Sequence, residues 1–166
     1  RRNFFLHRPM TGGGFQEWNN PQLARRRYHH FENPVHEICV VKDAPDSIGQ
    51  LNSKMWHLND ASYRERMEKS LVYCRYVAKR LAARRKKIKW HHLVAFPVGE
   101  FFRKFFLKKG YLDRTPGLLF ALHSGCAMFK SCALLWDEQN RLGRADLEIS
   151  LQKMWKEAAL QRMGKE

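Results

Sequence analysis

Two adjacent residues, His36 and Glu37, carry side chains that can handle protons. A glutamate at the mouth of a strand can act as a general base that takes a proton from an attacking hydroxyl. A neighbouring histidine can orient the carboxylate or a metal ion. Adjacent side chains on a strand point to opposite faces, so the pair is also typical of an exposed glutamate beside a hydrogen-bonded histidine.

A third residue with possible chemistry, His57, lies where a predicted short strand within residues 48–58 meets a helix. Side chains at such junctions can face a cleft, and an imidazole there can bind a metal ion. A lone histidine is nevertheless more often structural than a metal ligand. His57 is therefore a candidate ligand whose surroundings decide its role.

Basic and aromatic residues alternate between Arg75 and Lys109. This stretch contains twelve Lys or Arg residues and a single acidic residue, Glu100. Such a composition suits a helix that lies in an anionic membrane interface, and it also suits nucleic acid or an ordinary solvated basic face. The bulky residues that would face lipid are Trp90, Phe101, Phe102, Phe105 and Phe106.

Composition limits the classes of protein. The chain has 166 residues, 44% of them hydrophobic, and a formal net charge of +15. That length favours one domain with a core, and that hydrophobic content excludes a disordered chain. The charge favours nucleic acid, an anionic membrane surface or phosphorylated substrates as partners. Four cysteines without CxxC spacing are typical of reduced thiols in a cytosolic compartment.

The chain divides near residue 59 into a part with loops and strands and a helical part. Residues 1–35 are irregular in pattern, and residues 36–41 predict a strand. The sequence begins without Met and without a signal-peptide pattern, so we expect it to start within a longer protein.

Four helices are predicted in the second part. The first follows the capping residues 59–62 and ends near Arg84. The second spans residues 97–109, with Pro97 in its first position and Gly110 as its stop. The third spans 116–140, and the fourth, an amphipathic helix, spans 145–163.

The third predicted helix is almost long enough to cross a membrane. His123 and Lys130 fall inside it, and a charge at the bilayer centre costs about 2.5–3.5 kcal/mol on insertion scales. A buried or half-inserted helix is therefore favoured over a span.

Taken in order, four motifs resemble the C-terminal half of bacterial family 2 glycosyltransferases of the lipopolysaccharide-core type. The resemblance covers about residues 1–140, and its most specific part is the tail pattern. The four stretches are Gly12-Gly13-Gly14-Phe15 with the arginines that follow, Phe31-Glu32-Asn33-Pro34-Val35-His36-Glu37, Trp56-His57, and residues 101–117 with 135–139.

This resemblance implies site residues and a cofactor. Glu37 would be the base for inverting transfer, His36 would support it, and His57 would lie near a metal-bound diphosphate. Arg25, Arg26 and Arg27 would face phosphates, which agrees with the forked geometry of their donors. The implied divalent metal, Mg or Mn, would be bound mainly by an aspartate motif, Asp-x-Asp, which is absent from this sequence.

We therefore expect an α+β or partial α/β fold. Residues 1–58 would be the C-terminal portion of a GT-A-like nucleotide-sugar transferase domain, and residues 59–166 a helical tail, peripheral at the cytoplasmic face of the inner membrane. The whole enzyme would move a sugar from a nucleotide-sugar donor to an envelope glycolipid acceptor, and this chain alone, without the aspartate motif, would be inactive. Two alternatives stay open: a truncated or split subunit that needs a separate N-terminal half, and a basic nucleic-acid-binding module.

Overall fold

A computed structural model describes residues 2–14, 29–32, 38–41 and 49–163. About 65% of the described residues are helical, and small sheets accompany the helices, so the fold is mixed and consistent with the α+β class. The predicted site residues His36, Glu37, Arg25, Arg26 and Arg27 lie outside the described residues.

A three-stranded sheet forms near the start of the chain. Its strands are β1 (Arg2–Phe5), β2 (Arg8–Pro9) and β5 (Trp56–Leu58), in the order β2-β1-β5. Strand β1 is antiparallel to β2 and parallel to β5, and Asn3 lies opposite His57. The prediction of an irregular segment over residues 1–35 is therefore wrong at residues 2–5, 8–9 and 29–32, where strands of two to four residues are too short to show a clear alternation in the sequence.

A separate antiparallel pair joins β3 (His29–Glu32) and β4 (Ile38–Val41). The strand predicted over residues 36–41 is confirmed for 38–41. Among the described residues 49–58, the short strand predicted to end at His57 is present at 56–58 and ends one residue later, at Leu58. All five strands in the described part of the chain have only two to four residues, so each of the two sheets has little apolar area of its own to bury.

The first helix, α1 (Tyr63–Ala83), begins and ends as the sequence predicts. Ser62 Oγ accepts a hydrogen bond from the Glu65 amide at 3.2 Å, and Glu65 Oε2 accepts one from the Ala61 amide at 2.7 Å. These reciprocal bonds satisfy amides that have no partner within the helix. The buried side of α1 follows a four-residue step through Ser70, Cys74 and Ala78.

The second helix, α2 (His92–Phe102), starts five residues earlier than predicted. Pro97 lies inside α2, not at its first position, so that prediction is wrong. Proline cannot donate to the carbonyl four residues earlier, but its φ angle is compatible with a helix. The first turn forms instead from the amides of His92 and Leu93, which donate to Lys89 and Trp90.

A wide π-helical turn (Arg103–Leu107) extends α2, and a 3₁₀ turn (Gly110–Asp113) follows. The left-handed residue between them is Lys109, with φ of 55°, and not Gly110, which corrects the predicted stop. Gly110 is needed for a different reason, because a Cβ there would lie 2.7 Å from the Lys104 carbonyl oxygen.

The third helix, α3 (Arg114–Asn140), is the centre of the helical part and has Pro116 in its first turn, as predicted. Helix α1 runs parallel to α3, because Tyr63 meets His123 and Lys86, just after α1, meets Gln139. Helix α2 is antiparallel to α3, since Pro97 lies against Gly125. All three elements contribute to one apolar core, which includes Ala78, Ile88, Leu93, Phe96, Cys132 and Leu135.

A last helix, α4 (Arg144–Met163), is confirmed close to its predicted bounds. Every residue from 144 to 162 is exposed. Its apolar side chains are therefore not buried by any described part of the chain.

Two glycines in the helices give a direct test of this packing. A Cβ on Gly117 would lie 1.8 Å from the backbone oxygen of Gly110, whereas a Cβ on Gly99 would meet nothing within 4 Å. We expect Gly117→Ala to lower the free energy of unfolding by about 1–3 kcal/mol or more, because a backbone must move. Gly99→Ala should raise it by up to about 1 kcal/mol, because alanine favours helix. Urea denaturation of both variants checks this, and equal effects would contradict the packing.

Candidate functional site

The glycine-rich loop is held by one carboxylate of the helical part. Asp113 Oδ1 accepts hydrogen bonds from the Thr11 amide at 2.7 Å and from Thr11 Oγ1 at 2.6 Å, and Oδ2 accepts one from the Gly12 amide at 2.7 Å. Hydrogen bonds to an ionised acceptor are roughly twice as strong as neutral ones. The sequence singled out both stretches, but it gave no sign that they meet.

The two backbones also approach closely beside this carboxylate. The Gly13 amide donates to the Lys108 carbonyl at 2.7 Å. A Cβ on Gly12 would lie 2.2 Å from the Lys109 carbonyl oxygen, so only glycine fits there. Gly13 and Gly14 both have positive φ, which glycine adopts at little cost.

The predicted metal ligand His57 is held by a buried partner that the sequence did not indicate. His57 Nδ1 lies 3.0 Å from Asn3 Oδ1, across the parallel pair of β1 and β5. Because an amide oxygen only accepts, Nδ1 carries the hydrogen, and in the neutral ring Nε2 carries the lone pair. Histidines that bind metals are oriented in this way by their other nitrogen. Asn3 could have been identified as the partner of His57 from the pairing of β1 with β5, which places residue 3 opposite residue 57.

The described residues do not make a metal site on their own. Among residues 2–14, 29–32, 38–41 and 49–163, no group of three or more His, Cys, Asp or Glu side chains is placed to hold an ion. His57 fits as one ligand, but a divalent ion needs several. The Mg or Mn ion implied by the resemblance therefore stays an expectation.

Three residues after His57, a buried carboxylate joins the sheet to the helices. Asp60 is 2% exposed and pairs with Arg66 Nη1 at 3.3 Å and with Lys69 Nζ at 3.6 Å. The Arg66 guanidinium lies over the rings of Phe5 and Phe120, at 5.8 and 5.7 Å from their centroids. Removing one partner of such a buried pair leaves an uncompensated charge, which is strongly destabilising. The sequence identified Asp60 as a helix-capping residue but not as this ion pair.

A surface ion pair continues from this cluster. Glu65 and Lys69, one turn apart on α1, lie 2.6 Å apart. The hydrogen bond from Lys69, followed by that from the Ala61 amide, lowers the pKa of Glu65, and the bond to Glu65 raises the pKa of Lys69. Both groups are therefore charged at neutral pH. The turn before α1 is thus held by four ionic groups: Asp60, Glu65, Arg66 and Lys69.

His123 of α3 is buried beside this cluster. Its Nδ1 lies 3.3 Å from Tyr63 Oη. Burial lowers the pKa of His123 to about 4, and the positive charges of Arg66 and Lys130 add to the effect. His123 is thus a neutral core residue at pH 7. Between residues 118 and 135 of α3, Lys130 is then the one charged side chain, and its charge opposes transfer of this stretch into an apolar environment.

The five predicted membrane-facing aromatic residues do not all point outward. Trp90 is 78% exposed, and Phe102 and Phe106 are about half exposed. Phe101 and Phe105 are partly buried, and they stack on each other at 5.6 Å. The exposed ones belong to a row at four-residue steps along α2 and its flanking turns, called here the apolar face: Trp90, Val94, Val98, Phe102 and Phe106. Helix α3 also exposes Leu118, Leu122, Phe129 and Trp136.

Charge is distributed unevenly around this apolar face. Five of the six residues 84–89, next to Trp90, are Lys or Arg. By contrast, the outer side of α1 is exposed and carries Glu68, Arg75 and Lys79. The stretch Gly110–Asn140 is long and apolar enough to cross a membrane, and 39% of its most apolar window is buried in the protein.

Comparison with known proteins does not assign a family. No protein-family model matches the sequence, and no solved structure matches the chain significantly. Membership of a glycosyltransferase family is therefore a proposal, based on the ordered motifs and on the geometry of the described residues.

The Asp113 carboxylate can be tested by removing its charge without changing its shape. In Asp113→Asn an amide NH₂ replaces one acceptor oxygen and faces N–H or O–H donors. We expect the free energy of unfolding to fall by about 1–3 kcal/mol, the cost of leaving such donors unsatisfied. Urea denaturation measures this change.

A matched control is Asp137→Asn. Asp137 pairs with Arg141 one turn away on an exposed surface, so its loss should cost less than about 1 kcal/mol. A similar small effect in both variants would show that the Asp113 contact contributes little.

Proposed function

We propose that this chain is part of a family 2-like, GT-A-type glycosyltransferase that moves a sugar from a nucleotide-sugar donor to an envelope glycolipid acceptor. The observation that carries the proposal is the contact of Asp113 with Thr11 and Gly12. It holds the glycine loop, which belongs to the motif-bearing part, against the helices that present the apolar face. An enzyme that modifies lipid-linked acceptors needs such a link between its reaction site and a lipid-adapted surface.

In the proposed reaction Glu37 takes the proton of the acceptor hydroxyl. The acceptor oxygen then bonds to the anomeric carbon, the bond from that carbon to the diphosphate oxygen breaks, and the configuration inverts. His36 supports Glu37, and Arg25, Arg26 and Arg27 bind phosphate oxygens through their forked donors. These roles come from the resemblance, because these residues lie outside the described part of the chain.

His57 would serve the donor side of the same site. Its ring orientation is set by Asn3, and the turn behind it is held by Asp60 and its two cationic partners. Preorganised polar groups of this kind cost little rearrangement during a reaction.

The helices would lie in the plane of the membrane surface, on the cytoplasmic side, and not across it. Helix α1 packs alongside α3 with charged residues on its outer side, so a spanning α3 would bring those charges into the bilayer. With the apolar face on the lipid, α1 stays in water. The basic residues 84–89 beside Trp90 would meet anionic headgroups, at about 1 kcal/mol each near the surface.

The catalytic role of Glu37 is tested by Glu37→Gln in the natural gene product. Loss of the base should lower sugar transfer to a lipid acceptor by about 10²–10⁴-fold, without loss of nucleotide-sugar binding. Glu32→Gln is the matched control, because Glu32 is an exposed residue of β3 that pairs with His30. Turnover retained in Glu37→Gln would contradict the proposed mechanism.

The membrane role of the apolar face is tested with vesicles of phosphatidylethanolamine and phosphatidylglycerol. Trp90→Ala should reduce co-sedimentation with these vesicles, because an exposed aromatic side chain inserts at the headgroup level. Val72→Ala, at an exposed apolar position of α1, should leave it unchanged. Equal binding by both variants would argue against this face as the lipid contact.

A further inference from the structure

The last helix, α4, is long and has no partner among the described residues. All residues from 144 to 162 are exposed, including large apolar side chains at Leu147, Leu151, Met154 and Trp155. Helices in proteins are stabilised mainly by packing of an apolar side, and α4, a helix of 20 residues, leaves its apolar side chains exposed. A partner that covers these side chains would stabilise α4.

Four apolar residues of α4 follow a heptad spacing. Leu147, Leu151, Met154 and Ala158 are separated by steps of four, three and four residues, which places them at the d, a, d and a positions of a heptad. Ile149 and Leu160, also exposed, fall at the outer f and c positions. The four a and d positions between residues 147 and 158 are thus all apolar, a seam of about three turns, and Trp155 lies beside it at an e position.

The charges of α4 indicate a protein partner and not an anionic lipid surface. Residues 144–163 contain four basic and three acidic residues, a net charge of +1, whereas five of the six residues 84–89 are basic. A helix that binds anionic membranes is typically rich in Lys and Arg on its polar side. The two surfaces of the chain therefore suit different partners.

The charges beside the seam are complementary to a second copy of the same helix. In the heptad register Glu157 occupies a g position and Arg162 the following e position. Two parallel helices bring g of one chain next to the following e of the other, which gives two Glu157–Arg162 pairs by symmetry. An antiparallel pair with the same apolar layers would place Glu157 beside Ser150 instead.

We propose that α4 forms a parallel two-stranded coiled coil with α4 of a second copy of this chain. Leu147, Leu151, Met154 and Ala158 of the two copies form the seam. Glu157 of each copy pairs with Arg162 of the other. This self-association does not depend on the proposed enzyme activity.

The experiment is analytical ultracentrifugation of the full chain without lipid or sugar nucleotide. The wild-type chain should be a dimer that dissociates on dilution. Leu151→Lys places charges in the seam and should give a monomer. Ile149→Lys, which adds the same charge to the same helix outside the seam, should remain dimeric. A monomeric wild-type chain, or equal behaviour of the two variants, would overturn the proposal.

Charge reversal tests the parallel arrangement separately. Glu157→Lys and Arg162→Glu should each weaken the dimer by about threefold or more, because each places like charges opposite one another. The double variant should restore wild-type affinity, since the pairs form again with reversed sign. Residues five apart on one helix do not face each other, so restoration would be a signature of contact between chains. No restoration would overturn the parallel pairing.

Discussion

The Asp113 carboxylate is the interaction on which the arrangement of this molecule depends. It receives three hydrogen bonds from Thr11 and Gly12, residues about a hundred positions away in the chain. The loop it holds follows β1 and β2, and β1 pairs with the strand that carries His57. The position of His57 relative to the helices is therefore set by this carboxylate together with Asp60, which pairs with Arg66 and Lys69 of α1. The contact requires glycine at residues 12 and 117, where neighbouring backbone atoms leave no space for a side chain.

The helices were largely predictable from the sequence because their signals are local. Ser62 caps α1 and Pro116 lies in the first turn of α3, and both act within one turn of the chain. Helix α2 was placed too late, because Pro97 is acceptable both at a helix start and, with one backbone bond lost, inside a helix packed on α3. Strand β1 was not predicted because it has only four residues and one of its two partners, β5, lies far along the chain.

The candidate site was predicted in part, for the same reason. His57 carries a recognisable chemistry and was identified, whereas Asn3 is significant only through its contact with His57. The five aromatic residues were identified as a group, but their directions were not. The π-helical turn at Arg103–Leu107 changes the angular step between neighbours, so spacing alone does not separate Phe102 and Phe106 from the half-buried Phe101 and Phe105. The predicted roles of Glu37, His36 and Arg25–Arg27 stay predictions.

The antiparallel packing of α2 on α3 has a geometric consequence at a lipid surface. Trp90 and Phe106 lie at opposite ends of α2 and its extension, sixteen residues and roughly 24 Å apart. A protein held at one point can swivel about that point, whereas two separated contacts define a direction within the plane of the membrane. The end of the bundle that carries the sheet would then keep one heading as the protein diffuses. A lipid-linked acceptor would meet the site from a restricted range of directions, which limits the encounters that lead to reaction.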